Sequence, residues 1–234
     1  MCRETTPLES ERIDTMLDGN LMVIQSSRGY RFSVDALLLS DFALTRPGDV
    51  VVDLGTGCGV ISLLLLKKGD IRQAVGIEIQ PELASQAFRN AVLNGLSEKM
   101  HVVIGDMKDV PVKKGCADIV VCNPPYRSRS SGRISPDPVR AIARHELTVS
   151  LEDILKASSY MLKRCGRAVL IYPSARLADL ISGCRRYHLE PKRLQMIHPS
   201  GSSPAVLSMV EAVSGGRSSL KVLAPIIGQG RFTI

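Results

Sequence analysis

Strand-like and helix-like segments alternate regularly from Asp49 onward, and this alternation restricts the fold of the chain more than any other feature of its sequence. Apolar runs typical of buried strands cover residues 50–54, 74–79, 102–104, 119–122 and 167–172. The first predicted helix follows the glycines after residue 54 and ends at residue 66. The others extend from 81 to a stop at 95, from a cap at 150 to 162, and from 174 to about 186. The second of these helices should bury one stripe, formed by Leu83, Ala84, Ala87, Phe88, Ala91 and Val92. Such alternation predicts a parallel sheet with helices on both faces.

The two ends of the chain depart from this alternation. Residues 13–17 and 21–25 predict a strand pair around the turn Asp18-Gly19-Asn20, and a short helix from Val34 to Phe42 follows. Strands predicted at 193–197 and 205–213 are joined by a segment too short for a crossover helix, so they should form an antiparallel hairpin. We therefore expect an α/β fold, with a doubly wound, mostly parallel sheet closed by an antiparallel C-terminal hairpin. Residues 1–47 should pack as a strand pair and helix on a domain of residues 48–234.

Charge is divided unevenly along the 234 residues, whose formal net charge is +7. Residues 1–100 carry 10 Lys and Arg against 13 Asp and Glu, whereas residues 101–234 carry 20 against 10. A basic half favours an acidic partner such as nucleic acid, although a basic surface that only keeps the protein soluble remains open. Six cysteines without a Cys-x-x-Cys pair argue against zinc. Together with the lack of a signal sequence or membrane-length apolar run, they indicate a reduced, cytoplasmic protein.

A glycine-rich loop, Asp53-Leu54-Gly55-Thr56-Gly57-Cys58-Gly59, lies between the first predicted strand of the sheet and its helix. Glycines there let a ligand approach the backbone, and the following helix offers free N–H groups. A nicotinamide-binding G-x-G-x-x-G loop would place its third glycine at position 60, where this chain has Val60. The acidic Asp53 would repel a pyrophosphate but suits a cationic or zwitterionic ligand.

Two further carboxylates follow the next two predicted strands. Glu78, which precedes Ile79, can accept hydrogen bonds from a ribose diol. Asp106 can receive an adenine amino group, with Met107 packing on the ring. Each acid alone could be a solvated strand end or a helix cap, but three such signals at successive strand ends favour a nucleoside-type cofactor.

The fourth predicted strand of the sheet ends in Asn123-Pro124-Pro125-Tyr126. The prolines stop the strand and leave the Pro124 carbonyl free to accept a hydrogen bond. Together with the Asn123 side-chain oxygen, it can bind both hydrogens of a planar amine and turn the nitrogen lone pair toward an electrophile. Tyr126 would stack on the flat acceptor. This chemistry suits adenine N6, guanine N2, cytosine N4 or a glutamine amide.

These motifs resemble those of class I S-adenosylmethionine-dependent methyltransferases. Most similar are the bacterial tRNA adenine N6-methyltransferases that modify the base beside the anticodon. The stretches that carry the resemblance are residues 30–42, the glycine loop, residues 76–80, Asn123-Pro124-Pro125-Tyr126 and Ala143-Arg144-His145-Glu146. The serine-rich residues 128–135 depart from the family pattern. The resemblance implies a Rossmann-like fold, S-adenosylmethionine as cofactor and tRNA as partner.

Three sets of site residues follow from the motifs and the resemblance together. The cofactor set is Ser33, Asp53, Gly55, Thr56, Gly57, Gly59, Glu78, Ile79, Asp106, Met107 and Asn123. The catalytic set is Asn123, Pro124, Pro125 and Tyr126. The substrate set is Tyr126, Arg127, Arg129, Arg144 and His145. Ser33 can equally be a plain helix N-cap.

The sequence therefore predicts N6-methylation of a tRNA adenine by direct in-line transfer to a flipped base. A protein-glutamine N5-methyltransferase of the release-factor type shares the loop and the Asn-Pro-Pro-Tyr motif. It usually carries a helical domain before them, and the 48 residues before Asp49 are too few for one. A ribosomal RNA guanine N2-methyltransferase and a nucleotide-binding regulator without chemistry are further alternatives.

Overall fold

The computed structural model describes residues 5–27, 34–124 and 149–228. Near its N-terminus, β1 (Glu11–Met16) and β2 (Leu21–Ser26) form the predicted antiparallel hairpin. The turn between them places Leu17, Asp18 and Gly19 at positive φ, a conformation that glycine adopts without strain. The predicted short helix is α1 (Val34–Phe42).

A sheet that has nine strands within the described residues forms the centre of the structure. Its parallel strands are β3 (Val50–Leu54), β4 (Gln73–Glu78), β5 (Met100–Ile104), β6 (Ala117–Cys122) and β7 (Leu162–Pro173), in the spatial order β5-β4-β3-β6-β7. The chain leaves β3 toward one edge and returns to place β6 on its other side, which confirms the doubly wound arrangement. A reversal of this kind opens a crevice between the carboxyl ends of the strands on either side of it.

The predicted C-terminal hairpin is confirmed. It consists of β8 (Leu189–His198) and β9 (Leu207–Ser214), and β9 pairs antiparallel with both β7 and β8. Two short strands that the sequence did not indicate, β10 (Lys221–Val222) and β11 (Ile226–Ile227), pair parallel with the outer side of β8. The sheet therefore extends by one strand position beyond the hairpin.

Helices cover both faces of the sheet. They are α2 (Val60–Lys68), α3 (Pro81–Leu93), α4 (Leu151–Met161) and α5 (Leu177–Arg186), the last preceded by a 3-10 turn at Ser174–Arg176. Alternate strand residues point to opposite faces. Val51 accordingly belongs to the core formed with the hairpin, α1, α2 and α3, whereas Val52 belongs to the core formed with α4 and α5. Within the described ranges, no helix is long and apolar enough to span a membrane.

Of two predictions about the helices, the cap of α4 is confirmed and the buried stripe of α3 is confirmed in part. The predicted cap of α4 is a capping box, in which Ser150 Oγ accepts a hydrogen bond from the Asp153 backbone N–H at 3.1 Å. In α3 the predicted alanines Ala84, Ala87 and Ala91 are buried, but Phe88 is 47% exposed. Gln86 and Asn90 are buried as well. Side chains of α3 dock the β1–β2 hairpin through polar contacts, which explains why amides replace the phenyl ring on the buried face.

Candidate active site

The carboxyl ends of β3, β4, β5 and β6 lie at one edge of the sheet and bring Asp53, Glu78, Asp106 and Asn123 to that edge. Asp53 is in register with Val121, two residues before Asn123, and Glu78 is in register with Ile104, two residues before Asp106. A cleft of about 410 Å³, partly open to solvent, lies at this edge. Five predicted cofactor residues line it: Gly55, Glu78, Ile79, Asp106 and Met107.

The glycine loop needs its glycines for two separate reasons. Gly55, Gly57 and Gly59 have φ of +77°, +57° and +84°, a region that other residues enter only with strain. A Cβ on Gly59 would also lie 2.5 Å from Met100 Cε and 3.1 Å from Ala87 Cβ, so only glycine lets α2 start this close to its neighbours. The backbone therefore passes directly beside the cleft without side chains of its own at these positions.

Asp53 is buried beneath the loop and holds it to α2. Its Oδ2 accepts hydrogen bonds from Thr56 Oγ1 at 2.7 Å, Ser62 Oγ at 2.9 Å and, more weakly, the Ser62 backbone N–H at 3.3 Å. Its Oδ1 has no hydrogen-bond partner among the described residues. Burial raises the pKa of this carboxyl to about 6, although the hydrogen bonds from Thr56 and Ser62 act in the opposite direction. A buried carboxylate with an unsatisfied oxygen suits a site for a positively charged ligand.

Glu78 also holds the loop while it lines the cleft. Its Oε2 accepts a hydrogen bond from the Gly57 backbone N–H at 2.8 Å, and its Oε1 accepts one from the Gln80 N–H at 3.0 Å. The side chain is thereby fixed between β4 and the loop after β3. An ionised carboxylate offers about four acceptor positions, so these contacts still allow a ribose hydroxyl to bind.

Of the remaining predicted residues, Asp106 lines the cleft, Asn123 and Pro124 are described but do not line it, and the others lie outside the described ranges. Asp106 is half-buried, and its Oδ1 accepts a hydrogen bond from the Lys108 N–H at 2.9 Å. Asn123 is partly buried and Pro124 buried, directly after β6. Seven predicted site residues lie outside the described residues: Ser33, Pro125, Tyr126, Arg127, Arg129, Arg144 and His145.

Sequence reasoning missed two residues that support the loop. One is Ser62, which binds Asp53 from the first turn of α2. The other is Asn90 of α3, whose Nδ2 donates a hydrogen bond to the Cys58 carbonyl at 2.9 Å. A signal for Asn90 exists in the sequence, because it stands between Ala87 and Ala91 on a stripe that is otherwise apolar.

Comparison with known proteins identifies the family to which this site belongs. The sequence profile of the methyltransferase small domain family matches residues 33–171, which include the loop and all four strand ends. The chain belongs to this family. It is an S-adenosylmethionine-dependent methyltransferase, as the sequence motifs predicted.

Several curated relatives share most of the chain. A tRNA1(Val) (adenine(37)-N6)-methyltransferase of Porphyromonas gingivalis is 33% identical over 178 residues, which cover 73% of this chain and 69% of the relative. The enzyme of the same name from Parabacteroides distasonis is 30% identical over 183 residues, which cover 77% of this chain and 76% of the relative.

Solved structures confirm the Rossmann-like class I methyltransferase fold. A predicted O-methyltransferase of Agrobacterium tumefaciens superposes with a TM-score of 0.65 at 21% identity, covering 82% of this chain and 86% of that chain. Geranyl diphosphate C-methyltransferase of Streptomyces coelicolor, solved with S-adenosylhomocysteine, gives 0.58 at 17% identity, covering 77% of this chain and 75% of that chain. Within the described part of this chain, no group of three or more His, Cys, Asp or Glu side chains can hold a metal ion.

Proposed function

We propose that this methyltransferase transfers a methyl group to N6 of an adenine beside the anticodon of a tRNA, in the cytoplasm. The observation that carries the proposal is the position of Asn123-Pro124, at the end of the strand that pairs with the strand leading into the glycine loop. Asn123 and Pro124 thus follow a strand adjacent to the one that precedes the glycine loop, which supports a role for them beside a bound methyl donor. The names of the curated relatives and the basic second half of the chain support tRNA as the substrate.

The residues that line the cleft fit the chemical groups of S-adenosylmethionine. Glu78 would accept hydrogen bonds from the ribose diol, and Asp106 would accept one from the adenine amino group, with Ile79 and Met107 against the ring. The Asp53 carboxylate, whose Oδ1 is unsatisfied among the described residues, would stabilise the positive charge at the methionine end of the cofactor from beneath the glycine loop. Ser33 would join that end of the site. When bound, S-adenosylmethionine supplies an electrophilic methyl group on a sulfonium.

The chain's own residues orient the acceptor. The lone pair of an adenine amino group is delocalised into the ring, so the amine is a weak nucleophile. The Asn123 side-chain oxygen and the Pro124 carbonyl would each accept one of its two hydrogens and turn the lone pair toward the methyl group. A nitrogen held in this way would attack the methyl carbon that the cofactor supplies, with S-adenosylhomocysteine as the leaving group and the surplus proton released to solvent.

Substrate recognition would involve residues that follow the acceptor motif. Tyr126 would stack on the adenine, and Pro125 would keep the Pro124 carbonyl free of the strand's hydrogen bonding. Arg127, Arg129, Arg144 and His145 would contact the RNA backbone or base edges. Turning the base into the pocket costs a few kcal/mol for a stacked base and less for a loop base that is already partly unstacked.

A labelling experiment tests the proposal. The protein is incubated with methyl-labelled S-adenosylmethionine and bulk tRNA, and the RNA is digested to nucleosides. We expect label in N6-methyladenosine. Parallel reactions contain a release factor or ribosomal RNA in place of tRNA. Label in methylglutamine or in N2-methylguanosine, with none in N6-methyladenosine, would show that the acceptor is wrong.

A further inference from the structure

Helix α3 holds the β1–β2 hairpin through two asparagine side chains one turn apart. Asn90 Oδ1 accepts a hydrogen bond from the Ile24 N–H at 2.6 Å, and its Nδ2 donates one to the Ile24 carbonyl at 2.9 Å. Asn94 binds the N–H and carbonyl of Met22 in the same way, at 3.0 Å and 2.6 Å. Because residues 22 and 24 expose their backbone groups on the same edge of β2, the two amides imitate a third strand beside the hairpin.

The two asparagines differ in what else they bind. The second hydrogen of Asn90 Nδ2 is donated to the Cys58 carbonyl of the glycine loop at 2.9 Å, whereas Asn94 Nδ2 donates instead to the Asn90 carbonyl at 2.7 Å. Asn90 is completely buried. Its amide has only two hydrogens, so the two donor bonds to Ile24 and Cys58 use both.

The hairpin therefore determines how Asn90 faces the loop. The N–H of Ile24 requires the amide oxygen, and the carbonyl of Ile24 requires the amide nitrogen, so the amide cannot be reversed without placing two oxygens against each other. In this orientation the remaining hydrogen must point at Cys58. The hairpin thus fixes one peptide of the loop through Asn90, which lies 66 residues from Ile24 in sequence.

A second set of contacts keeps the hairpin in place on α3. Glu11 of β1 accepts hydrogen bonds from Gln86 Nε2 at 2.8 Å and from Arg89 Nη1 at 2.8 Å. Four side chains of α3 therefore hold the hairpin, but among the described residues only Asn90 of these four also binds the glycine loop. Docking of the hairpin and support of the loop can consequently be separated by mutation.

We propose that Asn90 is a positioning residue for the glycine loop and that the β1–β2 hairpin is thereby a functional part of the cofactor site. This inference rests on the proposed function, because it takes the loop to be the place where S-adenosylmethionine binds. Without the Asn90 donor, the loop samples conformations other than the one that accepts the cofactor, and binding has to select the competent fraction. Affinity for the cofactor then falls even though no residue that contacts it has changed.

A matched pair of variants tests this inference. Asn90→Asp and Asn94→Asp each keep an oxygen for the hairpin N–H and lose both donor bonds. The dissociation constant for S-adenosylhomocysteine is measured by calorimetry and the melting temperature by circular dichroism. We expect both variants to melt earlier. The dissociation constant should rise about tenfold for Asn90→Asp, equivalent to about 1.4 kcal/mol, and less than about twofold for Asn94→Asp. The KM for S-adenosylmethionine should follow the same pattern, with the KM for tRNA unchanged.

Equal dissociation constants for the two variants would overturn the inference. Should the buried charge of Asn90→Asp prevent folding, the pair Asn90→Ala and Asn94→Ala is compared by the same two measurements and decides in the same way. Asp106→Ala serves as a control on the site itself. If that variant binds S-adenosylhomocysteine as tightly as the wild type, the proposed cofactor site is wrong. If it binds weakly while the Asn90 variants bind normally, only the role of Asn90 is wrong.

Discussion

Asn123 combines a fixed position at the end of β6 with a side chain that can accept a hydrogen bond from an amine. Asn123→Ala would remove one of the two proposed acceptors for the substrate amino group and leave the cleft at Glu78 and Asp106 intact. We expect kcat to fall about 100-fold, the usual cost of losing one oriented polar group at a reacting centre. The dissociation constant for S-adenosylhomocysteine should stay within about twofold. Asn123 also belongs to the predicted cofactor set, so a large loss of cofactor affinity would show that it acts on the cofactor and not on the acceptor.

Asp53 is a carboxyl whose burial changes the stability of the protein with pH. Its pKa is about 6 in the folded protein against an ordinary 3.8, so the folded state binds a proton that the unfolded state has lost. Its contribution to stability therefore falls as the pH rises from about 4 to 6, by up to about 3 kcal/mol. Asp53→Asn should remove this fall, measured as the free energy of unfolding in urea at several pH values. If the stability of Asp53→Asn depends on pH in the same way as that of the wild type, the raised pKa does not belong to Asp53.

At the scale of the element, docking of the β1–β2 hairpin depends on an ionised Glu11. Burial alone would raise its pKa, but hydrogen bonds from Arg89, the Leu8 N–H and Gln86 lower it from 4.5 to about 2. Its contribution, which solvent screening reduces below the full value of the pKa shift, is present above about pH 4.5 and is lost as the pH falls toward 2. Glu11→Gln should flatten the acid limb of the unfolding profile and leave the region between pH 5 and 6 unchanged. The free energy of unfolding rises with pH because of Glu11 and falls with pH because of Asp53. Each variant is therefore a control for the other.

The regular elements could be predicted from the sequence because periodicity specifies them locally. The strand at residues 50–54 was predicted with the bounds that β3 has, and the capping box at Ser150 was predicted with its partner Asp153. The short strands β10 and β11 could not, since two residues carry no periodicity. The exposure of Phe88 on α3 could not be predicted either, because it results from the polar docking of a hairpin that is far away in sequence.

The candidate site shows the same division between local and distant information. The glycines and the acids after β3, β4 and β5 could be predicted, because parallel neighbouring strands bring their carboxyl ends to one edge. What the sequence could not show is that Glu78 binds the Gly57 N–H or that Asn90 binds the Cys58 carbonyl. Those contacts join elements 21 and 32 residues apart, and only the packed structure specifies such pairs.

At the scale of the whole molecule, the uneven charge matches the two kinds of ligand in the proposed function. The first 100 residues, with 13 acidic side chains against 10 basic ones, include Asp53 and Glu78 at the cleft. The remainder, with 20 basic against 10 acidic, includes the acceptor motif and the arginines after it. Beside the cleft, Lys108 and Lys156 are exposed and form no ion pair within the described part of the chain. Such side chains are available to phosphates.

The salt concentration should therefore affect the binding of tRNA and of S-adenosylhomocysteine differently. Lys and Arg that neutralise phosphates release counterions from the RNA, so affinity falls with a power of the salt concentration that counts the contacts. With two or three phosphate contacts, affinity for tRNA should fall about 10- to 40-fold between 50 and 200 mM NaCl, measured by filter binding. Binding of S-adenosylhomocysteine should hardly change over the same range, since its contacts lie in a cleft screened from salt. Equal salt dependence for both ligands, or none for tRNA, would mean that the basic half serves solubility and that the acceptor is not a polyanion.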